Sequence, residues 1–249
     1  MSFSNTILGD NPKTGVLRLA ILVLGAICLS FLYLFVQFKG LNSAEAMDNA
    51  QLARNIAEGK GYVTDNIRPL SVWLLRSHAP EAKVNLDAHP DTVNPPVYPW
   101  LTAFWLKLWG PKYEISEMKG EFEIYDGDLA IAVLDCILFC AGLLILYFWT
   151  LSMVDAKAAS LVAALAAFND YLWQWAISGT SWSLLFLLSI VLGWLAYGRI
   201  RSSGGGSTAL FCSAAIGLVI GIGFLTRYAF AIWLAPILLL VLIHGGRGR

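Results

Sequence analysis

Charge is scarce in this chain. Only 14% of its 249 residues are Asp, Glu, Lys or Arg, and 57% are hydrophobic. A soluble domain carries about a quarter charged residues, so a single water-exposed globule is excluded. Histidine stops at three residues and cysteine at four, namely Cys28, Cys136, Cys140 and Cys212. All of these cysteines lie in apolar runs, which argues against a disulfide framework. Cys136 and Cys140 share a helix face and read as core packing. There is no P-loop, no Gly-x-Ser-x-Gly and no nucleotide fold signature, so the sequence does not support a soluble nucleotide-sugar donor. The first apolar run lacks a small-residue cleavage site and reads as a signal anchor.

The chain has apolar runs instead, close to the ~20 residues that cross a bilayer. Mean hydropathy is +0.64. The expected fold class is an all-α polytopic membrane protein with about six transmembrane helices and a large first loop. The spans fall at about 17–37, 129–151, 156–173, 181–198, 208–226 and 229–244. Residues 1–16 form the N-terminus, 38–128 the loop, and 129–249 the remaining spans with a short C-terminus. Arg199 to Ser207, rich in glycine and serine, reads as a flexible connector between the fourth and fifth spans. Lys13, Arg18, Lys157, Arg199, Arg201, Arg247 and Arg249 fall on one side of this arrangement. The positive-inside rule therefore makes both termini cytoplasmic and the loop extracytoplasmic. Residues 39–128 hold nine Lys/Arg against thirteen Asp/Glu. That acidic excess argues against a nucleic-acid partner.

Two helices are expected in the loop. The first runs from about Ser43 to Glu58, with Asn42 as N-cap, Glu45 three residues on, and Gly59 and Gly61 ending it. The second runs from about Pro99 to Leu108 and presents Trp100, Leu101, Phe104, Trp105, Leu108 and Trp109, a face suited to the membrane interface. Residues 63–95 show weak periodicity and many turn formers.

Glu45 and Asp48 are three apart, so a helix places both carboxylates on neighbouring positions. Near the headgroup level such a carboxylate can take a proton from an attacking acceptor. A second one can orient the acceptor or hold a divalent cation. The competing reading is structural: Glu45 completes a capping box and Asp48 favours the positive helix end.

The acidic helix from Glu45 to Tyr62, followed by Asn94-Pro95-Pro96-Val97-Tyr98-Pro99-Trp100, resembles the GT-C membrane glycosyltransferases. The resemblance is to the N-terminal portion of the protein mannosyltransferase and aminoarabinose transferase family. That family carries an Asp-Glu pair eight and seven residues before an Ala-Arg. Counted back from Ala53-Arg54, Glu45 takes the place of the catalytic Asp and Ala46 that of the Glu. Asp48 stands one turn on as a substitute for the lost acid, which leaves the base open between Glu45 and Asp48. Asn94 takes the place of a phosphate-binding Lys and can donate a hydrogen bond without neutralising phosphate. Pro95, Pro96 and Pro99 can equally shape the turn. The run from Ile216 to Tyr228 resembles the family's glycine-rich span ending in Leu225-Thr226-Arg227. Arg227 would pair with phosphate or snorkel to headgroups. Gly217 and Gly221 can equally serve close helix packing.

Asp135 lies inside the second span, where a carboxylate must face protein or water. Asp170 is a candidate second acid or a helix-end turn residue. His78, Asp87, His89 and Asp91 are the one metal-like group, without established ligand spacing. The resemblance implies an inverting transferase that moves a sugar from a polyprenyl-phosphate donor to an acceptor at the extracytoplasmic face. The membrane would be a bacterial-type plasma (inner) membrane. Glu45 and Asp48 are the catalytic candidates, with Arg54, Asn94, Tyr98 and Arg227 binding substrate. No cofactor is implied beyond a divalent cation at the acidic site. Family members have more spans, so the chain reads as a fragment, a minimal member, or one half of a complex whose protein partner supplies helices. The alternative function is a non-catalytic assembly subunit or a lipid-binding relic of the same fold.

Overall fold

The computed structural model describes residues 12–78, 88–113, 124–201 and 207–245. Asp87, Arg247, Arg249 and residues 202–206 of the expected connector lie outside the described residues, and its ends are helical, Arg199 to Arg201 closing one helix and Ser207 opening the next. The protein is mostly helical. Its helices are α1 (Pro12–Leu32), α2 (Ala44–Ala57), α3 (Pro69–His78), α4 (Val97–Trp109) and α5 (Asp126–Met153). They continue with α6 (Ala156–Ala167), α7 (Asp170–Ala176), α8 (Trp182–Arg201), α9 (Ser207–Thr226) and α10 (Leu234–Gly245). A π-turn at Tyr33–Gln37 extends α1, and a 3₁₀ helix at Tyr228–Trp233 precedes α10. Strands β1 (Val63–Thr64) and β2 (His89–Pro90) form a short antiparallel ladder, with Val63 opposite Pro90 and Thr64 opposite His89.

Among the described residues four helical stretches are long and apolar enough to cross a membrane: Thr14–Gln37, Asp126–Met153, Trp182–Arg201 and Ala209–Thr226. The expected spans at 156–173 and 229–244 are interrupted. Helix α6 rises only roughly 18 Å, against a hydrocarbon core of about 30 Å. It stops at Phe168 because Asn169 restarts the chain as the cap of α7, its side chain accepting the Leu172 N–H at 3.3 Å. The sixth stretch begins as a 3₁₀ helix capped by Arg227, and only its second part is α-helical.

The chain forms two compact units. Unit one takes residues 1–38, 135–177 and 181–249. Trp173 is its aromatic centre, 1% exposed. It stacks on Tyr33 at 5.2 Å and meets Phe139 edge-on at 4.9 Å. Its indole N–H donates to the Ala167 carbonyl at 2.6 Å, which satisfies the polar tip of a buried Trp. Gly223 allows a close approach: a Cβ there would stand 2.1 Å from Phe230. Gly217 and Gly221 have open space instead, so the close packing falls two residues further on than their spacing suggests. Cys136 is buried and Cys140 half-buried, and all four cysteines are free.

Unit two takes residues 39–134 and 178–180. Helix α2 packs on α4 through Ala46, Leu52 and Ala53 against Tyr98, Ala103 and Leu106, all nearly inaccessible. The alanines let the helices approach closely. Gly59, at φ +79, provides the left-handed stop of α2. The N-terminal cap is Ser43, not Asn42: its side chain accepts the Ala46 N–H at 3.1 Å. Helix α3 was not expected from the weak periodicity of 63–95.

Candidate functional site

The one-residue shift of the cap alters the reading of Glu45. With Ser43 at the N-cap, the capping-box position passes to Ala46, and Glu45 loses that structural explanation. It stays in the first turn of α2, half-buried, where the helix dipole favours a negative charge. Asp48 is engaged on both oxygens. Its Oδ1 accepts from Asn66 Nδ2 at 2.8 Å, and its Oδ2 pairs with Arg68 Nη2 at 2.6 Å. Asp48 is only 13% exposed as a side chain, against 41% for Arg68. The ion pair ties α2 to the segment after β1, and Asn55 Nδ2 adds a bond to the Val63 carbonyl at 2.8 Å.

Arg54 is placed differently. It lines a cleft of about 390 Å³ together with Leu41, Met47, Ala50, Tyr125 and Asp128. Met47, Ala50 and Arg54 recur at helical spacing and form one row of α2. At 100° per residue, Glu45 stands roughly 200° round the helix from Met47. The acids and the cleft row therefore occupy different faces of α2. Among the described residues Arg54 forms no salt bridge, and its charge acts on Asp128 and Tyr125 across the opening. Asp128 Oδ2 accepts the Leu41 N–H at 3.2 Å. Burial pushes the Tyr125 hydroxyl above its ordinary value, with Arg54 opposing and Asp128 adding to the shift. Tyr125 thus remains a hydrogen-bond donor at neutral pH. Asp128 and Tyr125 escaped sequence reasoning, because a carboxylate at a helix start is already explained by the dipole.

The remaining loop candidates are structural in their contacts. Asn94 Nδ2 donates to Asp91 Oδ2 at 2.8 Å, and the Asn94 carbonyl accepts from the Tyr62 hydroxyl at 2.7 Å. Tyr98 is 1% exposed inside unit two. His89 is buried, with Nε2 3.0 Å from Ser71 Oγ. His78 is exposed and bonded to the Leu74 carbonyl of its own helix. Among the described residues no three His, Cys, Asp or Glu side chains gather as metal ligands.

In unit one, Asp170 accepts from the Tyr33 hydroxyl and, at 2.7 Å, from Gln174 Nε2. Arg227 is half-buried, its guanidinium 4.6 Å above the Trp182 ring. Trp182 in turn stacks on Trp175 at 4.3 Å. The guanidinium thus lies over an aromatic pair, a cation–π arrangement. Asp135 is wholly buried in α5, as expected for a carboxylate in a span. No protein family, curated protein or solved structure matches the chain.

Proposed function

We propose that the chain is a GT-C-like glycosyltransferase of the protein mannosyltransferase and aminoarabinose transferase type. In this reading six stretches cross a bacterial-type inner membrane, four as long helices and two as interrupted ones. Both termini are cytoplasmic and the loop from residue 38 to 128 faces outward. The donor is a polyprenyl-phosphate sugar. An acceptor hydroxyl or amine attacks the anomeric carbon from the face opposite the phosphate. The bond from that carbon to the phosphate oxygen breaks, and polyprenyl phosphate leaves with the electron pair. Glu45 receives the acceptor's proton. Inversion follows from the single displacement.

The observation that supports this most is the composition of helix α2. It carries Glu45 in its first turn, one position before the capping-box residue Ala46, and on a different face Arg54, which lines a separate cleft of about 390 Å³. A carboxylate at this position supplies the proton acceptor that the chemistry needs. Arg227 on its tryptophan platform is a second cation suited to phosphate. Asp48 favours the alternative of a non-catalytic subunit at its own position, since its ion pair with Arg68 explains it structurally.

Glu45→Gln tests the reading. It keeps the shape and removes the base, so transfer should fall about 100- to 10,000-fold with the fold intact. Asp48→Asn should cost less turnover and more stability. Full activity in both amide variants would leave the non-catalytic subunit as the better account. Topology is tested separately. Cysteines introduced at positions 85 and 204 should label from opposite sides of intact cells, and labelling of both from outside would sink the six-span arrangement.

A further inference from the structure

Unit one carries an apolar groove of about 250 Å³ lined by α1 and α6. Arg18, Ile21, Gly25 and Leu29 line it from α1, and Ala164 and Phe168 from α6. The α1 positions recur every three or four residues, so one face of that helix forms the wall. Small residues open the trough: a Cβ built on Gly25 meets nothing within 4 Å. Ser160 also lines it, but its hydroxyl is committed to the Ala156 carbonyl at 2.7 Å. Arg18 is the one charged residue on the lining, and it forms no salt bridge among the described residues. From Arg18 to Leu29 the helix rises roughly 16 Å. That is about half of a ~30 Å hydrocarbon core, the depth of one leaflet.

We infer that this groove holds one acyl chain of an anionic phospholipid, with the lipid phosphate on Arg18. Length and charge both point to that occupant. A guanidinium at the end of a leaflet-deep trough stands at headgroup level, where it grips phosphate through paired N–H donors. A helix laid in the same groove would enclose Arg18 among apolar side chains, a costly burial for an unpaired cation. An acyl chain fills the space beside Gly25 and leaves the charge at the surface.

The test uses the full chain purified in detergent and titrated separately with phosphatidylglycerol and phosphatidylcholine. Retained lipid is counted by native mass spectrometry, and the thermal midpoint is followed in parallel. One phosphatidylglycerol should bind about tenfold more tightly than phosphatidylcholine, the worth of one charged hydrogen-bonded contact. It should also raise the midpoint by mass action on the folded state. Arg18→Gln should erase the preference between the lipids. Gly25→Leu should exclude both, while the lipid-free midpoint holds or rises, because leucine is the better helix former and enters open space. Equal binding of the two lipids by the wild type overturns the inference, as does unchanged preference in Arg18→Gln. A lipid-free dimer that Gly25→Leu dissolves also overturns it, since the occupant is then a second copy. Should Gly25→Leu misfold, the preference lost or kept in Arg18→Gln decides alone.

Discussion

The two units are held together by different means. Unit one relies on shape: Trp173 between Tyr33 and Phe139, and Phe230 seated where Gly223 has no side chain. Unit two relies on polar pairing: Asp48 with Arg68, Asn55 with the Val63 carbonyl, Tyr62 with the Asn94 carbonyl, and Ser71 with His89. The surroundings explain the difference. In lipid, apolar side chains gain nothing by leaving their solvent, so van der Waals fit decides. In unit two the apolar contact is concentrated between α2 and α4, and hydrogen bonds fix how the segments after α2 lie. Unit one is therefore expected to suffer most from misfit, and the segments of unit two from a lost polar partner.

The comparison breaks most visibly at Trp173. Trp173→Ala should destabilise unit one by about 3–5 kcal/mol, the cost of emptying a buried aromatic site. Equilibrium unfolding in mixed micelles would read it, and a loss below 1 kcal/mol would mean that the aromatic cluster is not its centre. Gly223→Val is the opposite insult. It forces a side chain against Phe230 and should cost about 1–3 kcal/mol as overpacking. Restoration by Gly223→Val with Phe230→Ala would show that the clash is the cause. The smallest effect belongs to unit two. Arg68→Gln should cost about 1 kcal/mol or less, as a partly exposed ion pair does. That loss should shrink in high salt, whereas the two unit-one variants should be indifferent to salt. Hydrogen exchange resolved by segment would separate the units, and a salt response at Trp173 would erase the distinction.

The legible part of this sequence was local. Helix α2 ends where Gly59 requires, and its start was read one residue early because Asn42 and Ser43 are both good caps. Only the structure shows which oxygen meets the Ala46 N–H. The four long apolar stretches announce themselves by length. The break at Asn169 was visible as a polar pair with Asp170, but its effect on α6 depends on Asn169 adopting the cap conformation. Helix α3 was hidden because ten residues starting at Pro69 carry too little periodicity, and Ser71 is anchored by His89, eighteen residues away. The cleft was hidden for the same reason at larger scale. Arg54 lies on α2, while Asp128 and Tyr125 come from the start of α5, and nothing local links them.

The cap at Ser43 also sets a reading frame in space. A residue inserted between Asn42 and Ser43 lengthens only the connection, and every side chain of α2 keeps its bearing. A residue inserted between Ser43 and Arg54 swings everything downstream by roughly 100°. Arg54 would then leave the rim of its cleft while Glu45, if upstream of the insertion, kept its place. Length variation among natural versions of this protein should therefore accumulate before the serine and be absent for the eleven residues that follow it.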